Sequence, residues 1–113
     1  MNKRKLGSQY EEKAASYLIS HGLKILEKNF RSSYAEIDIV AEDGDYLVFV
    51  EVKYRRGLAF GTAAEAVDYH KITRIQAASR FYIIQKKISE MRKIRYDVVA
   101  IDGENIDWIK DAF

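Results

Sequence analysis

The sequence predicts one α/β domain with a mixed central sheet flanked by helices. Three observations carry the α/β part of that expectation. Apolar residues recur at helical spacing in two separate stretches. Short apolar or alternating runs lie between and after them, as strands require. Glycine-containing turns, and no proline, punctuate the chain. The 113 residues suit a single domain over 1–113. A chain of this size buries roughly 65% of its unfolded surface, enough for one core.

The elements follow in the order α-β-β-β-α-β, with room for a last strand. From about Lys3 to His21, Leu6, Tyr10, Ala14, Tyr17 and Leu18 fall on one helical face, and Gly22 stands where a C-terminal cap belongs. "LKILEKNF" then reads as a short strand. "AEIDIVAE" alternates strictly, with Ile37, Ile39 and Ala41 on one side and Glu36, Asp38 and Val40 on the other. Asp43-Gly44 signals a hairpin turn, and "YLVFVEVKY" is the strongest strand. "RRGLAFGTA" is a loop. Residues 64–87 read as a long helix with Ala64, Val67, Ile72, Ile75, Ala78 and Tyr82 as its stripe. "IRYDVVAI" is a buried strand, and "NIDWIK" a candidate final one.

Composition excludes little but frames the rest. The net charge of +2 neither demands nor forbids a nucleic-acid partner, so the distribution of charge must decide. Without cysteine there is no disulfide framework and no thiolate metal site, which fits a reducing cytoplasm. The basic N-terminus leads into no apolar stretch, so no signal peptide is expected. The longest apolar runs, "LVFV" and "FYII", are too short to span a bilayer, and no membrane partner is expected.

The feature that calls for chemistry is "VFVEVKYRRG". A two-residue loop at Asp43-Gly44 pairs Glu42 with Asp45, and sets Asp38 opposite Phe49 and Glu36 opposite Glu51. Glu36, Asp38, Glu51 and Lys53 then share one face of the hairpin, with Asp38 and Glu51 as diagonal neighbours. Loop parity decides this, because a three-residue loop would turn one set away. Converging carboxylates repel, and a divalent cation relieves the repulsion. Hard oxygen ligands suit Mg²⁺, which lowers the pKa of bound water and clamps a phosphate oxygen. Lys53 would orient the attacking water or stabilise charge on the phosphate. The plain alternative is a Glu–Lys pair on a solvated hairpin. Two details weigh against it: Leu47 and Phe49 share the face of Glu51, and Val48, Val50 and Val52 fill the other face. Charges at the end of a strand covered on both sides need a partner, a metal or a task.

Asp38 followed by Glu51-Val52-Lys53 on the next strand resembles the PD-(D/E)XK nuclease signature. The chain from about Leu6 to Ile101 is similar to the YraN-like family of predicted endonucleases, through "LGSQYEEKAASYL", "ILEKNFRSSYAEIDIVAEDG", "LVFVEVKYR", "KITRIQAASRFY" and "RYDVVAI". The resemblance implies a restriction endonuclease-like fold, similar to archaeal Holliday junction resolvases. Those add a helix glutamate to the Asp and Glu-x-Lys set, and Glu11 matches it. The resemblance thus implies Glu11, Asp38, Glu51 and Lys53 as catalytic residues, with Mg²⁺ or Mn²⁺ on Asp38, Glu51 and Glu11. Tyr10 and Ala35 stand where the family usually has glycine.

Arg55 and Arg56 follow the motif, and with the glycines of their loop they read as phosphate contacts or as solvated loop residues. Lys71 lies within the long helix's apolar stripe, as a snorkelling side chain or a phosphate contact. His21 reads as a helix C-terminal cap, and Asp97 as a structural contact. Two functions are expected from this. The first is a metal-dependent endonuclease that hydrolyses DNA phosphodiester bonds at branched or junction DNA, in repair or recombination, as a homodimer by analogy with resolvases. The second is a non-catalytic nucleic-acid-binding or recombination-accessory module on the same fold.

Overall fold

A computed structural model describes residues 3–55 and 68–113, with side chains from Gly7 to Tyr54 and from Asp68 onward. Its elements are α1 (Lys3–Ser20), β1 (Lys24–Arg31), β2 (Glu36–Asp43), β3 (Tyr46–Arg55), α2 (Tyr69–Gln85), β4 (Lys93–Asp102) and β5 (Asn105–Ile109). The five strands lie side by side in chain order. β3 and β4 are parallel and the other neighbours antiparallel, so the sheet is mixed, as expected. The arginine-rich loop after β3 falls largely outside the described residues. Arg55 ends β3 with its side chain undescribed, and Arg56 lies beyond it.

α1 ends where the sequence says it should. Gly22 takes φ +96, the N–H of Leu23 donates to the carbonyl of Leu18 and that of Gly22 to Ile19. This is the Schellman pattern, which satisfies the last carbonyls of the helix. Leu18 and Leu23 are both buried, so the cap also closes an apolar contact. α1 packs Ala14, Ala15 and Leu18 against Ile39, Ala41, Val48, Val50 and Val52. α2 covers the opposite face, packing Ile75, Ala78 and Tyr82 against Val40, Leu47 and Phe49. β3 is therefore covered on both sides, which explains its nearly unbroken apolar run.

Three expectations are corrected. α2 begins at Tyr69, because Asp68 is extended (φ −95, ψ 168) and its carboxylate caps the N–H of Lys71 at 2.8 Å. Of the stripe placed on this helix, Ala64 and Val67 lie outside the described residues. The β2–β3 hairpin pairs Asp43 with Tyr46 and Ile39 with Val50. Gly44 is thus the first loop residue, at φ +58, and not the second. Glycine supplies positive φ at that slot without a Cβ clash. The shift moves the pairing by two residues, so parity holds and the faces survive, but Asp38 comes beside Glu51 and not Phe49. Finally, Ile37 does not share a core with Ile39 and Ala41. It packs with Phe30 on the α2 side. The pairing of β2 with β3 stops at Ile39–Val50, while β2 stays with β1, where Asn29 takes a left-handed φ of 56 and interrupts the pleat.

Candidate metal centre

The end of the β2–β3 ladder makes the site. Past Ile39 and Val50 the two strands part, and the freed N–H of Val52 is taken up by Asp38 Oδ2 at 2.8 Å. The side chain replaces a ladder bond that the backbone no longer makes. The opening is a cleft of about 420 Å³ whose lining includes Glu11, Asp38, Glu51, Lys53 and Lys71. The four residues expected to be catalytic thus meet in one place, although they come from α1, β2 and β3.

Around the cleft the charges sort into two groups, with Glu36 lining the hollow that adjoins it. Carboxylate oxygens of Glu11, Glu36 and Asp38 lie within 4.8 Å of one another. Glu51, buried at 3% exposure, instead faces cations: Lys71 Nζ is 2.9 Å and Lys53 Nζ 3.6 Å from its Oε1. The expected ligand set was Glu11, Asp38 and Glu51. The tightest carboxylate group has Glu36 in place of Glu51. The "EID" alternation already put Glu36 on the right face, and the helix residue Glu11 meets it there.

Two neighbours position Glu11, and the sequence did not single out the first of them. Asn29, in its left-handed conformation, presents its amide N–H₂ to Glu11 Oε2 at 2.8 Å and to Glu36 Oε1 at 2.7 Å, once the amide is oriented with nitrogen toward the two acids. Asparagine tolerates that φ better than most residues. Tyr10, standing where the family usually has glycine, stacks on Tyr54 with centroids 4.2 Å apart and planes 9° apart. The stack ties α1 to the strand that carries Glu51 and Lys53. Glu12, one residue on, meets Lys28 alone among the described residues, at 3.9 Å on the surface.

The electrostatics are those of an under-neutralised site. Burial, and then the Glu51 carboxylate, raise the Asp38 carboxyl well above the ordinary carboxylate value. Burial and Glu36 raise Glu11, while its contacts with Asn29 and Asp38 work the other way. Burial and the adjacent Lys71 lower the pKa of Lys53. For Lys71 burial works against the charge, but contact with Lys53 and Glu51 outweighs it and the pKa is raised. The three-carboxylate group fits a hard divalent cation by its chemistry: oxygen donors, net negative charge and an open side. Lys71, expected as a snorkelling residue or a phosphate contact, is anchored on Glu51.

A family model described as "Uncharacterised protein family UPF0102" matches residues 10–101. The chain belongs to the UPF0102 family. The matched span holds Glu11, Glu36, Asp38, Glu51, Lys53 and Lys71, the charged residues of the site, while Gly7 of the cleft's lining falls before it. A UPF0102 protein of Fusobacterium nucleatum is 42% identical over 111 residues, covering 98% of this chain and 92% of the relative. One from Rhodococcus opacus is 42% identical over 113 residues, covering 96% and 95%. One from Shewanella loihica is 41% identical over 107 residues, covering 95% and 92%. No helix among the described residues is long and apolar enough to cross a membrane.

Proposed function

We propose that this UPF0102 protein is a metal-dependent endonuclease of the PD-(D/E)XK kind, acting on DNA phosphodiester bonds. The observation that carries the reading is the convergence of Glu11, Glu36 and Asp38 within 4.8 Å, at the cleft that Glu11 and Asp38 line together with Glu51, Lys53 and Lys71. The resemblance of Asp38 and Glu51-Val52-Lys53 to the nuclease motif supports it. Glu11, Glu36 and Asp38 would hold a divalent cation, Mg²⁺ or Mn²⁺, with Glu51 beside them. Bound there, such a cation supplies a more acidic water and charge neutralisation at a phosphate oxygen.

The chain's own groups do the rest. Lys53 Nζ holds its proton less tightly than an ordinary lysine, which suits it to exchange a proton with the attacking water. Lys71 keeps its charge and fixes Glu51 Oε1 at 2.9 Å, so the Glu51 carboxylate is held in place at the cleft. Tyr10 and Tyr54 keep Glu11 in reach. Branched DNA as the preferred substrate, and a homodimer that cuts two strands, extend this reading by the likeness to junction resolvases.

The test is direct. Purified protein is incubated with Mg²⁺ or Mn²⁺ and labelled linear, flapped or four-way DNA. Cutting is expected on at least one substrate. Asp38→Asn and Lys53→Ala should abolish it while keeping the wild-type circular dichroism spectrum. Failure to cut all of these substrates, in either metal, sinks the proposal.

A further inference from the structure

The cleft does not end at the acidic cluster. A second hollow of about 620 Å³ shares Asp38, Glu51 and Lys71 with it and runs on to His70, Arg74 and Tyr34. The two are one groove, and its character changes along its length. Its inner end carries the carboxylates. Its outer end runs between the first turns of α2 and the β1–β2 turn. α2, from Tyr69 to Gln85, contains Lys71, Arg74 and Arg80 and no acidic residue. Asp68, at the rim, is occupied as the helix cap. Among the described residues Arg74 and Arg80 have no ion-pair or hydrogen-bond partner.

Tyr34 stands at this outer end, 54% exposed and with no ring contact among the described residues. It is not on a slack tip. The Ser32 hydroxyl donates to the carbonyl of Ala35 at 3.2 Å, and accepts the N–H of Tyr34 at 3.1 Å and of Ala35 at 3.3 Å. The backbone N–H of Ser32 closes the turn on Ala35 at 3.1 Å. An exposed aromatic ring on a pre-ordered turn, facing across a groove a guanidinium that has no partner among the described residues, is an arrangement that stacks a base and holds its phosphate. A base can offer its face to such a ring only when it has left the duplex stack.

We infer that the groove holds an unpaired DNA strand, with a base stacked on Tyr34 and its backbone on Arg74, leading the strand into the acidic cluster. This rests on the nuclease reading for what happens at the inner end, but it is tested without cleavage. Fluorescence anisotropy follows binding of the full chain to a labelled single strand, and to a blunt duplex of the same sequence. Ca²⁺ is present to neutralise the carboxylates, and a denaturing gel confirms that the strands stay whole.

The single strand is expected to bind more tightly than the duplex. Tyr34→Ala should weaken single-strand binding by about 5- to 150-fold and Tyr34→Phe should restore it, as loss and recovery of one stacked base require. Arg74→Ala should weaken binding and reduce the salt slope by about one. Both side chains are exposed, and thermal unfolding of the variants should match the wild type. The inference is overturned if Tyr34→Ala binds the strand as the wild type does, or if the blunt duplex binds as tightly as the strand. DNA cutting without a Tyr34 effect would sink this inference alone, and a Tyr34 effect without cutting would sink the nuclease reading alone.

Discussion

Glu51 on β3 and Asp97 on β4 are the two fully buried carboxylate side chains among the described residues, at 3% and 0% exposure. They lie on adjacent strands, yet they are surrounded in opposite ways. Asp97 receives both Nε and Nη2 of Arg95 at 2.9 Å, Trp108 Nε1 at 2.9 Å and the N–H of Asp111 at 3.0 Å. Each of its oxygens is used twice, and Arg95 is held more firmly in its charged form by Asp97. Glu51 instead shares two flexible lysines on one oxygen and lies close enough to Asp38 and Glu11 to raise both. Burial of a charge is common to the two. What separates them is neutralisation, and only the second is left short of positive charge among the described residues.

The largest contrast is in stability. Asp97→Ala strands a mostly buried Arg95 beside Asp43 alone, and removing one partner of a buried pair costs about 3–5 kcal/mol. Urea unfolding should show this. A loss below about 1 kcal/mol would mean that the Asp97 network is ornamental, and the comparison with Glu51 would lose its reference. Asp38→Asn should do the reverse. It removes a charge from a crowded site and keeps an oxygen for the Val52 N–H. The metal-free protein should be unchanged or more stable, by up to about 2 kcal/mol. Marked destabilisation would show that the cluster is already neutralised from within.

The same contrast has a pH signature. Folded-state pKa values of Asp38 and Glu11 are raised. Folding therefore favours their protonated forms. That contribution is complete below the unfolded carboxylate range, near about 4, and is lost as pH rises through the raised values. Without metal, the stability advantage of Asp38→Asn over the wild type should accordingly grow with pH across that window. Matched denaturation series at each pH measure it. A flat difference would remove the electrostatic account of the site.

The smallest effect separates two adjacent residues. Glu11→Gln should alter metal response, whereas Glu12→Gln loses only an exposed pair at 3.9 Å and should stay within about 0.5 kcal/mol of wild type, with unchanged metal response.

Much of this was legible in the sequence, for identifiable reasons. Strand bounds followed alternation and turn residues, and the end of α1 followed from Gly22. The shared face of Glu36, Asp38, Glu51 and Lys53 survived because it depends only on loop parity. The register itself did not, since Asp-Gly does not say which residue opens the turn. The start of α2 was missed because "AEAV" before Asp68 continues a helical pattern, which outweighed Asp68 itself, a residue of N-cap type. Ile37 and Asn29 were illegible for a deeper reason. A left-handed asparagine inside a strand and the parting of β2 from β3 are settled by tertiary packing. Glu36 was visible on the right face, but it joins the carboxylate cluster only because Glu11 arrives from a helix remote in sequence. The Asp97 network was half legible: Arg95 and Asp97 share a face by period two, while Trp108 reaches them from another strand.

The central claim is that the Glu11, Glu36 and Asp38 cluster is a cation site left short of positive charge. Isothermal titration with Mn²⁺ and Mg²⁺ tests it most directly. The wild type should bind saturably, Asp38→Asn and Glu11→Gln should each lose at least about tenfold in affinity, and Glu12→Gln should match the wild type. Absence of saturable binding by the wild type, or equal affinity in Asp38→Asn, would contradict it.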